Sequence, residues 1–85
     1  MNKSIYTDEY KIFSNLLKEY REKKSILQGQ LAQKLETNQT QISRYEKGQV
    51  RLDFVQINHY LKAMDVSLQE FIEEYLNRIS NINRN

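Results

Sequence analysis

Between Phe13 and Tyr20 the large apolar residues fall at positions 13, 16, 17 and 20, the i, i+3, i+4, i+7 spacing that lines one side of an α-helix. Thr7 or Asp8 can cap the start of this first helix. Asp8 and Glu9 suit the positive end of its dipole, and the lysines of "EKKS" suit the negative end. Arg21, four residues after Leu17, borders the stripe. A lone charge is costly there, so the position calls for a carboxylate partner.

A second, shorter helix is predicted in "LQGQLAQKLE", where Leu27, Leu31 and Leu35 recur every four residues and Ala32 lets a neighbouring helix approach closely. A helix under about 12 residues is marginal alone, so tertiary contacts must hold it. "ETN" makes a tight connection to a third helix. Asn38 is its N-cap, Gln41 can complete a capping box, and Gly48 supplies the stop. Ile42 and Tyr45 face inward with Glu46 near the same edge, while Gln39, Thr40, Ser43, Arg44 and Lys47 share the opposite, polar side.

After "QVRL", Asp53 caps a fourth helix with Phe54, Ile57, Leu61 and Met64 on its stripe, and Asp65 closes it. Ser67 and Glu70 are placed for a capping box on the last helix, whose stripe runs through Leu68, Phe71, Ile72, Tyr75, Leu76 and Ile79. The tail "SNINRN" is expected to be frayed.

These elements make an all-α, compact five-helix bundle. Proline is absent and glycine occurs only twice, which agrees with that class. The length of 85 residues predicts one domain over 1–85, with its core at about 8–79. With no cysteine and only His59, no metal site or cofactor is expected. No apolar run approaches the about 20 residues of a membrane span, and "MNKSIYTDEY" has no leader-like apolar region. A soluble, cytoplasmic protein is the expectation.

The net charge of +2 is unevenly spread: residues 1 to 51 hold ten Lys and Arg against six acids, and residues 52 to 85 hold three against five. One end therefore suits an anion. Lys3, Lys11, Lys18, Lys23 and Lys24 read as solubility charges without a site. Tyr20, Tyr45, Tyr60 and Tyr75 sit on apolar stripes and read as core. A Gly-rich phosphate loop, a His-containing triad and a pair of catalytic carboxylates are all missing from the sequence, so no enzyme is expected.

Two short helices joined by a turn of three or four residues, the second with a polar outer face, form a helix-turn-helix (about residues 27–47). A B-DNA major groove about 12 Å wide admits one such helix. Gln39 and Asn38 match adenine N6 and N7, Arg44 matches guanine O6 and N7, and the Thr40 methyl suits thymine.

The stretch "LLKEYREKKSILQGQLAQKLETNQTQISRYEKGQ", continued by "MDVSLQEFI", resembles the lambda-repressor-like family of phage repressors, Cro and xenobiotic-response-element regulators, over roughly residues 12 to 72. The resemblance implies base reading by Asn38, Gln39, Thr40 and Arg44. It implies a phosphate contact for Gln28 at the start of the second helix, and phosphate or peripheral contacts for Gln41, Ser43 and Lys47. Arg51 is a further phosphate candidate. Arg21 and Glu46 match a partly buried salt bridge of the family. Three positions depart from the pattern: Leu27 stands at a usual Ser, Thr or Asn cap, and Ser25 and Glu36 stand where glycine is common.

The implied function is that of a small sequence-specific transcriptional regulator, a repressor by family analogy. Its DNA is double-stranded and its activity is set by concentration or by a regulatory partner protein, since 85 residues leave no room for a sensor domain. One half-site is read poorly by so few contacts, so a homodimer on a palindromic operator is expected, with recognition helices about 34 Å apart. Phe71, Tyr75, Leu76 and Ile79 of the last helix are the candidate dimer contacts, unless Tyr6 and Tyr10 fold back over them. The alternative is an antitoxin-like protein-interaction module whose DNA binding is secondary. Single-stranded RNA binding lacks a stacking platform.

Overall fold

Five helices follow one another in the computed structural model, which describes the backbone of residues 3–82 and the side chains of residues 8–82: α1 (Lys3–Lys23), α2 (Gln28–Lys34), α3 (Gln39–Glu46), α4 (Phe54–Ala63) and α5 (Leu68–Ile82). No strand occurs among the described residues.

Two boundaries differ from the sequence expectation. Helix α1 starts at Lys3, so Thr7 and Asp8 lie inside it and do not cap it. Nothing between residues 3 and 8 is a Gly or Pro that would stop a helix from extending upstream once it is nucleated. At the other end α5 continues through Ser80 and Asn81 to Ile82, where a frayed tail was expected; residues 83–85 lie outside the described ones. Arg78 clamps this last stretch. Its guanidinium donates to Glu19 of α1 from Nη1 at 2.7 Å and Nη2 at 2.9 Å, and to Glu74 from Nε at 2.8 Å.

The core takes Phe13, Leu16, Leu17 and Tyr20 from α1, Leu31 and Ala32 from α2, and Ile42 from α3. Tyr60, Leu61 and Met64 enter from α4 and its end, followed by Val66 and then Phe71 of α5. Phe13 meets Phe71 edge-on at 5.7 Å between centroids, and Tyr20 lies 5.8 Å from the same ring. Helix α4 packs the expected side inward, with Tyr60, Leu61 and Met64 buried and Ile57 against the core, but Phe54, predicted to be inside, is 65% exposed in the first turn. Leu27 is likewise 67% exposed, because it is the N-cap of α2 and not part of its buried side.

The ends of α1, α2, α3 and α4 share one geometry. Ser25, Glu36, Gly48 and Asp65 have φ of 57°, 56°, 72° and 58°, the left-handed region. The residue after each donates its N–H to a carbonyl five positions back: Ile26 to Arg21, Thr37 to Ala32, Gln49 to Arg44 and Val66 to Leu61. This is the Schellman stop, usually given to glycine. Gly48 is held to glycine a second way, since a Cβ there would lie 3.1 Å from Ser14 Oγ. Ser25 and Glu36 take the conformation that a glycine would have taken.

Candidate nucleic-acid interface

Helices α2 and α3 are joined by the short segment from Leu35 to Asn38. Asn38 caps α3 by accepting the Gln41 N–H at 2.9 Å, which commits its carbonyl oxygen and leaves its NH₂ outward. The reciprocal half of the expected box is replaced: Gln41 Nε2 points to Tyr45 Oη, 3.5 Å away. At α2 the situation is reversed. Leu27 has no acceptor to give, and only the Gln30 carboxamide reaches back, taking the Leu27 N–H at 2.8 Å.

With Ile42 and Glu46 buried, the other side of α3 is turned to solvent. Gln39, Thr40, Arg44 and Lys47 are exposed, with Gln41 and Ser43 half-buried. Gln28, Gln39, Thr40, Ser43, Arg44, Lys47 and Gln49 line one open cleft. A neighbouring cleft runs from Gln28, Ser43 and Lys47 to Lys11, Asn15 and Lys18 on α1. By sequence alone Lys11 and Lys18 read as solubility charges; in the fold they border this cleft. Their spacing with Asn15 (11, 15, 18) puts the three on one side of α1, and only the packing of α1 against α3 shows that this side adjoins the cleft.

Arg51 is exposed, with its guanidinium 4.2 Å from the centre of the Tyr10 ring. The Tyr10 hydroxyl donates to the Val50 carbonyl and accepts from the Leu52 N–H, both at 3.2 Å, so this ring ties α1 to the α3–α4 connection. Tyr10 therefore serves that connection, not a cover over α5; the Tyr6 side chain lies outside the described residues.

Behind α3 stands a charged cluster. Arg21 Nε donates to Glu46 Oε2 at 2.6 Å and Nη2 to Oε1 at 3.2 Å, with side chains 9% and 3% exposed. Arg21 Nη1 donates to the Ile26 carbonyl at 2.7 Å. The hydrogen bond to Glu46 is the main influence raising the Arg21 pKa, against the opposing effect of burial. Gln28 bridges outward: its Nε2 donates to Glu46 Oε1 at 2.9 Å, and its Oε1 accepts from Gln39 Nε2 at 3.3 Å.

On the far side of the molecule, Phe71 is only 2% exposed and belongs to the core, which removes it from the expected dimer contacts. Tyr75 and Ile79 are half-buried, Tyr75 against the Phe13 ring. Leu76 is exposed, as are Ile72 and Ile82, two positions the sequence reading did not assign to a surface.

No His, Cys, Asp or Glu cluster among the described residues has a metal-binding arrangement, and no described helix is long and apolar enough to cross a membrane. The helix pair α2–α3 and its outward polar side define a helix-turn-helix domain. The helix-turn-helix family model matches residues 17–71, and the chain belongs to this lambda-repressor-like family of DNA-binding transcription regulators. No curated protein matches the chain at a significant level.

Proposed function

We propose that this chain is a sequence-specific double-stranded DNA-binding regulator, a repressor, that inserts α3 into the major groove and binds a palindromic operator as a homodimer in the cytoplasm. The observation that carries the reading is the division of α3 into two sides. Ile42 and Glu46 hold the helix to the bundle, and Gln39, Thr40 and Arg44 are left as a row of donors and acceptors of the kind that base edges match. In this reading Asn38, through its free NH₂, joins Gln39, Thr40 and Arg44 as base contacts. Gln28, Gln41, Ser43, Lys47 and Arg51 meet phosphates, with Lys11 and Lys18 added by their place on the adjoining cleft. The expectation that the protein is not an enzyme belongs to the same reading.

Leu76, Ile72 and Ile82 on α5 supply the dimer contact, with Tyr75 and Ile79 behind them. A second reading, an antitoxin-like module that presents the same exposed residues to a partner protein, is favoured by that apolar row alone. Selection of bound duplexes from a random pool, followed by sizing of the complex, separates the two. The expected result is an enriched palindrome carrying two copies of the chain; no enriched sequence at moderate salt would overturn the DNA reading.

A further inference from the structure

The hydrogen-bond chain that runs from the interior to α3 has a direction, and its buried end sets it. Glu46 faces the Arg21 guanidinium with its side chain 3% exposed, and an ion-paired carboxylate offers acceptors only. Gln28 must therefore turn its Nε2 toward Glu46, where it donates to Oε1 at 2.9 Å. The Oε1 of Gln28 is left to face Gln39 and accepts from its Nε2 at 3.3 Å. Gln39, exposed at the first position of α3, keeps one N–H and its own Oε1 for an outside ligand. The order of that donor and acceptor is dictated two residues away, by a buried carboxylate.

We infer that Glu46 is a specificity-determining positioning residue, which through Gln28 holds the Gln39 amide in one of its two orientations and so selects the strand on which an adenine is read. The inference rests on the reading of Gln39 as a base contact. Adenine sets an acceptor, N7, beside a donor, N6, in the major groove, and an amide matches the pair only when its own donor and acceptor stand in the corresponding order. A glutamine free at its terminal torsion offers both orders, because that torsion is broad and roughly two-fold. Glu46 removes the second. A salt bridge acting only as a brace between α1 and α3 would affect all base positions alike.

The test uses the full chain and its selected duplex, with all four base pairs placed in turn at each operator position. Gln39→Ala first marks the position that Gln39 reads. Glu46→Gln then replaces an acceptor-only group by one that both donates and accepts, so Gln28 is free to turn over. Since that change leaves Arg21 without its counter-charge, the pair Arg21→Met with Glu46→Leu is measured as well; it removes the charge altogether and keeps the interior apolar. Thermal melting confirms that each variant is folded. At the marked position, discrimination is expected to fall by about tenfold, with the other positions unchanged. Full discrimination there, or an equal loss at every position, would overturn the role given to Glu46 while leaving the base contact of Gln39 intact. If Gln39→Ala marks no position, the base-reading assignment itself fails and the inference goes with it.

Discussion

Arg21 Nε stands 2.6 Å from Glu46 Oε2, and this contact joins α1 to the last turn of α3 across 25 residues of chain. Removing one partner leaves the other charged and enclosed. Glu46→Ala is expected to destabilise the protein by about 3 to 5 kcal/mol, near the lower end because Arg21 keeps its bond to the Ile26 carbonyl. Replacing both partners by apolar residues should cost far less. Urea denaturation of the two variants checks the difference; equal losses would mean that the helices, and not the charges, carry the effect.

The left-handed helix stops at Ser25 and Glu36 place L side chains where the backbone is strained. Ser25→Gly and Glu36→Gly are each expected to stabilise the fold by about 0.5 to 1 kcal/mol, part of the relief being offset by the greater freedom of glycine in the unfolded chain. Gly48→Ala should act in the opposite direction, through its φ of 72° and the approach of Ser14. Melting temperatures of the three variants decide the sign.

Leu27 occupies an N-cap while most of its side chain lies in solvent. Leu27→Ser supplies the missing acceptor for the first turn of α2 and gives up little buried surface. A gain of about 1 kcal/mol is expected. Slower amide exchange in α2 would locate the gain in that helix, and an unchanged denaturation midpoint would contradict the assignment.

The hydrogen bond from Arg78 holds the Glu19 carboxyl below its ordinary value of 4.5, against a smaller effect of burial. Since the folded value is the lower one, this pair stabilises the fold above the unfolded value, and its contribution is lost as pH falls through the folded value. Wild type should therefore lose stability more steeply than Glu19→Gln on acidification below about pH 4.5. The pair is partly exposed, so salt should narrow the gap between the curves. Parallel curves would rule out the contribution.

On the proposed interface, Arg44 and Lys47 should behave differently. Arg44→Ala is expected to relax base preference at one operator position by about 1 to 3 kcal/mol. Lys47→Ala should weaken binding to all duplexes equally and lower the salt dependence by about one counterion. Titrations at several salt concentrations on matched and mismatched duplexes distinguish the two roles; exchanged behaviours would reverse the assignments.

Much of this protein was legible in local pattern. The stripe from Phe13 to Tyr20 and the caps at Asn38 and Asp53 are short-range signals: side chains three or four positions apart share a helix face, and a cap bonds to a backbone N–H three residues away. The run from Gln39 to Lys47 showed its polar outer side for the same reason. Periodicity marks a stripe but leaves the rotation of one helix against the others open. Phe54 fits its stripe and still faces solvent, and Phe71, expected at a surface, is in the core.

By itself, then, the sequence determined an all-α chain with a helix-turn-helix and the polar side of its third helix, because each of these is encoded within a few turns of backbone. Only the tertiary structure decided that Gln28 links Glu46 to Gln39, that Lys11 and Lys18 border the cleft beside α3, and that Ser25 and Glu36 adopt glycine's conformation. The links join residues far apart in the chain, and the turns are held by packing that outweighs local preference. Neither is written into the neighbours of any one residue.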